Sequence, residues 1–336
     1  MSDPQAEKLG EALWYVGPGR AELRAEPVGS PAAGEVLVRA LHGALSRGTE
    51  SLVFSGRVPE SEHERMRGPF MGGTFPFPVK YGYAVVGRVD EGPSALRGRT
   101  VFALHPHQDL FALPADAVVP VPDGVPPARA ILAANMETAL NAVWDGAPGP
   151  ASRVTVIGAG VVGALTAWLC GRLPGAEVTL VDIAPARAAV AQALGVRFAL
   201  PDAAPKDCDV VFHASASAAG LATALGCAGD EATVVEMSWY GAGDIPVALG
   251  GAFHSRRLRV ISSQVGSVAP AMRPRWPHRR RLAAALALLA DPCLDALIAS
   301  PVGFRDLPAR LPELLAPGSG VLCQRIDYAA ANLEPS

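Results

Sequence analysis

The residues best suited to do chemistry are three glycines and an acid. Gly158-Ala159-Gly160-Val161-Val162-Gly163 follows a β-branched run, Val154 to Ile157, and opens a helical pattern from Val161 to Leu173. Asp182 ends the next apolar run, Val178 to Val181, 19 residues past Gly163. Gly158 permits the tight turn out of a strand, and Gly160 lets backbone N–H groups approach a pyrophosphate. Gly163 lets the helix pack on the sheet, so the helix N-terminus, with the amides of Val161 and Val162, faces the phosphate charge. Asp182 is placed to take hydrogen bonds from the 2′- and 3′-hydroxyls of an adenosine ribose. The bland alternative is a glycine-rich turn in an α/β core; the complete order of strand, glycines, helix, strand and acid favours the dinucleotide site. NAD is expected over NADP, because a 2′-phosphate beside the Asp182 carboxylate would set like charges together.

A parallel sheet must carry these residues. Helical pattern over 126–144 stops at Asp145-Gly146-Ala147-Pro148. Strands are then expected at 153–158, 178–182, 208–213, 232–238 and 258–262, with helices at 161–173, 185–194 and 217–226. That alternation is a doubly wound α/β domain. Before it, short strands at 13–16, 35–41, 79–89, 98–104 and 111–121 read as a small all-β module. Ser46 to Glu50 read as a polar loop, and residues 56–78 as an irregular excursion that covers something. Helices near 278–290 and 307–315 and a strand at 323–326 close the chain. The expected domains are 1–127 with 273–336, and 128–272.

Composition bounds the rest. With 336 residues, half of them apolar, two cores can form without staples. A net charge of −3 with interspersed signs leaves no footprint for nucleic acid or an anionic membrane. Arg279-Arg280-Arg281 reads as a solvated helix end. The five cysteines are scattered, which argues against a disulfide framework and a cysteine-rich zinc site. A polar N-terminus shows no signal peptide, and the apolar runs are too short to span a bilayer. A cytoplasmic protein is the expectation.

The stretches GEVLVRAL, RGTESLVFSG, PVKYGYAVVGRVDEG, GRTVFAL, LAANMETALNAV, VIGAGVVG and VDIAPAR resemble the medium-chain dehydrogenase/reductase superfamily of zinc alcohol dehydrogenases and quinone oxidoreductases. The resemblance covers nearly the whole chain. It implies a GroES-like β-rich catalytic domain and a Rossmann domain, and the SxGTE loop is similar to that of bacteriochlorophyllide hydroxyethyl dehydrogenases. Zinc members carry a cysteine where Arg47 stands, His-Glu where Tyr83-Ala84 stands, and a third ligand where Ala134 stands. No metal is therefore expected. His105-Pro106-His107, without carboxylate partners, reads as a loop pair.

The resemblance also implies roles. Tyr83, at a former ligand position, either donates to the reacting oxygen or fills the vacated hole; Lys80 should face away from it. His105 either acts as a general acid near neutral pH or lines the wall. Thr49 matches the hydroxyl of a proton relay whose histidine is replaced by Leu52. Glu50 should pair with Arg325 to hold its loop. Thr138, beside Glu137, matches the threonine that touches the nicotinamide, and Arg187 matches a cation that superfamily members pair with NAD. The expectation is a zinc-independent NAD-dependent oxidoreductase acting on a secondary alcohol or ketone, such as a side chain on a pterin ring. Alternatives are an enone or quinone reductase, or a protein using NAD in a redox-neutral step. A homodimer is expected through the sheet edge at 258–265.

Overall fold

The computed structural model describes residues 8–328; most of the polar N-terminal stretch read against a signal peptide lies outside them. The chain forms two compact units, Met1–Ala134 with Ile298–Ser336, and Asn135–Leu297. Both divisions fall later in the chain than the expected 127/128 and 272/273. The helix His278–Leu288 belongs to the second unit, because its Arg281 is buried there against Glu137.

In the second unit six parallel strands run in the order Arg197–Ala199, Glu177–Val181, Arg153–Ile157, Cys208–His213, Ala228–Glu236, Arg259–Ser262. Helices cover the sheet's faces, so Val154, Val156, Leu180, Val211, Phe212, Val234 and Val235 are all buried, which explains the unbroken apolar runs. The winding reverses at Arg153–Ile157: the next strand in sequence lies on one side of it and Cys208–His213 on the other. That is the topological switch point at which open α/β sheets bind ligands. Arg197–Ala199 is an edge strand of three residues, too short to show a period in the sequence. Arg259–Ser262 is the opposite edge, with Val260 exposed.

The first unit has two sheets. The larger runs Ile298–Gly303, Cys323–Asp327, Glu35–Leu45, Val85–Glu91, Thr100–Ala103, Val118–Pro120, with Leu110–Pro114 also paired to Glu35–Leu45. The smaller runs Arg20–Val28, Lys8–Gly17, Val79–Lys80, Gly72–Gly73. Two expectations are corrected. Residues 79–89 are not one strand: Val79–Lys80 pairs with Trp14 and Tyr15, whereas Val85–Glu91 joins the larger sheet. The chain breaks at Gly82, whose φ is +121°, and a Cβ there would lie 2.8 Å from the His107 ring. Ser46–Glu50 is not a loop but the start of a helix, Arg47–Phe54. Glu50 makes the difference by reaching back to accept the Ser46 N–H at 2.7 Å, in the manner of a capping box.

Among the described residues no helix is long and apolar enough to cross a membrane.

Candidate functional site

The glycine turn of the second unit has the geometry of an anion cradle. Gly160 caps the helix Val161–Cys170, and a Cβ built on it would meet nothing within 4 Å. The first helical amides, including those of Val161, Val162 and Gly163, have no carbonyl one turn back within the helix to receive them, which is the setting that attracts phosphate. The other two glycines face the protein. Gly158 has a φ of +103°, and its Cβ would lie 2.8 Å from the Ser215 N. A Cβ on Gly163 would lie 1.9 Å from the Gly158 carbonyl oxygen.

Asp182 is locked in place. Its Oδ2 accepts the Ala159 N–H at 2.7 Å and its Oδ1 the Ala184 N–H at 2.9 Å, so the acid is tied to the turn it serves. A carboxylate has about four acceptor positions, so two hydroxyl donors can still be taken. Arg187 ends the short helical turn Pro185–Arg187 that follows.

Thr138 stands partly exposed on the helix Ala133–Gly146. Its neighbour Glu137 is buried and receives Arg281 Nε at 3.0 Å, while Arg281 Nη1 donates to Asn141 Oδ1 at 2.6 Å. Burial raises the Glu137 carboxyl, and the Arg281 charge opposes that. Arg281 is thus the interior partner of Glu137, not part of a solvated helix end. The run of three arginines concealed it, since only its position in the helix period separates it from Arg279 and Arg280.

At the carboxyl ends of the next strands lies a polar chain that the sequence did not single out. His213 Nδ1 lies 2.6 Å from Glu236 Oε2, and its Nε2 lies 2.7 Å from Ser215 Oγ. Tyr240 donates its hydroxyl to Glu236 Oε2 at 3.0 Å. Burial alone would raise the Glu236 carboxyl, but His213 and the Ser238 donors prevail and hold it below its ordinary value. The sequence signal was weak: His213 and Glu236 each end an apolar run, 23 residues apart.

In the first unit, Ser46, Thr49 and Tyr83 come together. The Tyr83 hydroxyl bonds to Ser46 Oγ and lies 3.3 Å from Thr49 Oγ1. Burial pushes the Tyr83 phenol up to about 12, with the Ser46 and Thr49 hydrogen bonds pulling the other way. Lys80 is absent from this group, as expected, but because it donates to Glu26 at 2.5 Å and Gln108 at 3.0 Å.

Glu50 lies next to this group in sequence and is fully buried. It accepts from Tyr15 Oη at 2.6 Å and His107 Nε2 at 2.9 Å, besides the Ser46 amide. The expected Glu50–Arg325 pair is not formed. Arg325 lies opposite Ala44 on the closing strand, and its Nε is buried without a hydrogen-bond partner. His107 therefore does have a carboxylate partner, contrary to the reading of a loop pair.

His105 is buried as well. It stacks on Phe111 with ring centroids 3.8 Å apart, and its Nδ1 meets its neighbour Pro106's carbonyl oxygen at 2.9 Å. Burial is the main cause that lowers it to about 3, so it is neutral near pH 7 and carries no imidazolium proton to give.

The donors needed for zinc are missing. Arg47 spends its guanidinium on the carbonyls of Leu314, Ala316 and Val321 at 3.1, 2.8 and 2.8 Å. A guanidinium does not ligate, Ala134 has no donor atom, and a phenol with a pKa near 12 stays protonated. Among the described residues no group of three or more His, Cys, Asp or Glu is placed to hold a metal. These residues do not fit a zinc ion.

No family model matches the sequence, and no curated protein matches it. Solved structures do. A thermostable alcohol dehydrogenase from Pyrobaculum aerophilum is 19% identical with a TM-score of 0.75, covering 96% of this chain and 100% of its own. An Escherichia coli CFT073 protein named as a short chain alcohol dehydrogenase, complexed with NADH, is 16% identical with a TM-score of 0.75, covering 95% and 99%. A provisionally named zinc-binding dehydrogenase from Sinorhizobium meliloti 1021, bound to NADP, is 17% identical with a TM-score of 0.76, covering 96% and 100%. This chain has their fold. A GroES-like β-rich unit is joined in one chain to a Rossmann unit.

Proposed function

We propose that this protein is a zinc-independent, NAD(H)-dependent oxidoreductase that acts on a secondary alcohol or ketone, with a side chain on a ring such as a pterin as the substrate class. The observation that carries the reading is the glycine turn. Gly158 and Gly163 are closed by the protein, Gly160 opens on free space at a helix N-terminus, and Asp182 is bonded to the same turn. The nicotinamide would supply or accept the hydride. The chain's own part is to hold the pyrophosphate on the amides after Gly160 and the adenosine ribose on Asp182, with Arg187 and Thr138 as further cofactor contacts.

A carbonyl polarised without metal needs a hydrogen-bond donor. Tyr83 is assigned that role. Its phenol keeps its proton throughout the neutral range; that proton is given to Ser46 Oγ, with Thr49 Oγ1 in reach, and would turn to the reacting oxygen when substrate binds. Tyr83→Phe should lower kcat by about a hundredfold or more with a smaller change in KM. Turnover should persist in a chelator, and dialysed protein should hold no stoichiometric zinc. Activity lost to chelation and restored by zinc would end the metal-free reading. Because His105 is already neutral, no His105 titration should shape the rate between pH 5 and 8.

The neighbours include both an NADH and an NADP complex, so the cofactor choice rests on Asp182. NADH should bind at least about tenfold more tightly than NADPH, a difference of about 1.4 kcal/mol. Fluorescence titration of both decides it, and tighter NADPH binding would refute the assignment. The edge strand Arg259–Ser262, with Val260 exposed, supports a homodimer. Light scattering at micromolar concentration should give twice the chain mass.

A further inference from the structure

The order of the parallel strands separates the two halves of a bound dinucleotide. Gly158 to Gly163 set the pyrophosphate at the end of Arg153–Ile157, and Asp182, ending the strand on one side, marks the adenosine half. The strands on the other side, Cys208–His213 and Ala228–Glu236, end in His213 and Glu236. Ser215 follows His213 by two residues and borders the fingerprint itself, its amide 2.8 Å from where a Gly158 Cβ would sit.

The protons in this cluster can be assigned one by one. Glu236 is an acceptor, so the proton shared with His213 Nδ1 belongs to the imidazole, and in the neutral ring Nε2 is left to accept. The Ser215 hydroxyl therefore points its only proton at Nε2, 2.7 Å away. Ser217 Oγ accepts the Gly220 N–H at 3.0 Å and lies 3.0 Å from Ser215 Oγ, so its own proton goes to Ser215. One lone pair on Ser215 remains. Room for the arrangement depends on Gly220, since a Cβ there would lie 2.0 Å from Ser215 Oγ.

We propose that Ser215 is a binding residue for a hydroxyl of the second ribose, the one that carries the reacting ring, and that His213 and Glu236 are positioning residues that fix its oxygen as an acceptor. A ribose hydroxyl has a proton to give to that lone pair, whereas a phosphate oxygen does not. The proposal rests on the dinucleotide reading and deepens it.

The test compares ADP with ADP-ribose, which adds only the second ribose, by calorimetry on the full chain. Ser215→Ala should weaken ADP-ribose by about tenfold and ADP by less than about twofold. Ser215→Cys keeps the shape with a poor acceptor and should give the same split if the alanine variant does not fold. Glu236→Gln should weaken ADP-ribose by about threefold alone and add nothing in the Ser215→Ala background, as for groups acting through one another. Equal losses for both ligands, no loss, or additive losses would overturn the proposal while wild-type protein still binds ADP and ADP-ribose. Wild-type protein that binds neither would instead overturn the dinucleotide reading on which this one stands.

Discussion

Arg281→Ala should destabilise the Asn135–Leu297 unit by about 3–5 kcal/mol, the range for removing one partner of a buried ion pair. Arg281 is 1% exposed and Glu137 5% exposed, so the variant leaves a carboxylate in the interior without its cation. Asn141 also loses its donor, although its Oδ1 keeps the Ala269 amide at 3.0 Å. Chemical denaturation followed by circular dichroism measures the loss. The apolar double variant Arg281→Met with Glu137→Leu should recover most of it, since no charge is then buried alone. If Arg281→Ala costs under about 1 kcal/mol, a value typical of solvated pairs, the interior assignment is wrong.

Gly163→Ala should be the more damaging change for ligand binding. Its methyl would fall 1.9 Å from the Gly158 carbonyl oxygen, so the helix Val161–Cys170 must move away from the turn. Overpacking of this kind costs about 1–3 kcal/mol, and the displaced amides should weaken NADH binding by about a hundredfold. Gly160→Ala is the control with the opposite signature. Its methyl enters open space, so stability should be unchanged while the pyrophosphate is obstructed. Melting and NADH titration of both variants separate the two roles, and equal stability losses would contradict them.

Those two glycines show what was legible in the sequence. A strand, a glycine turn and a helix make local demands on the chain, so spacing alone assigned each glycine its task. The parallel sheet was legible for the same reason, because strands buried on both faces leave unbroken apolar runs. The cluster around Glu50 was not. Tyr15, Glu50 and His107 meet from segments separated by 35 and 57 residues, and nothing local to any of them states the partner. Resemblance misled there by offering Arg325. The helix Arg47–Phe54 was missed because Gly48 and Thr49 are poor helix formers, although the bond from Ser46 N–H to Glu50 that offsets them is local. The burial of His105 was not legible, because its stacking on Phe111 is invisible before folding.

The discontinuity of the first unit sets an order on biosynthesis. Glu35–Leu45 leaves the ribosome long before Cys323–Asp327, the strand that covers one of its edges. The intervening residues 135–297 form a contiguous unit that can collapse as soon as it emerges. The N-terminal strands must therefore wait, with an edge open, until Cys323–Asp327 has emerged. A ribosome stalled before Cys323 would hold a completed 135–297 unit and an uncovered sheet edge, the kind of surface that chaperones engage.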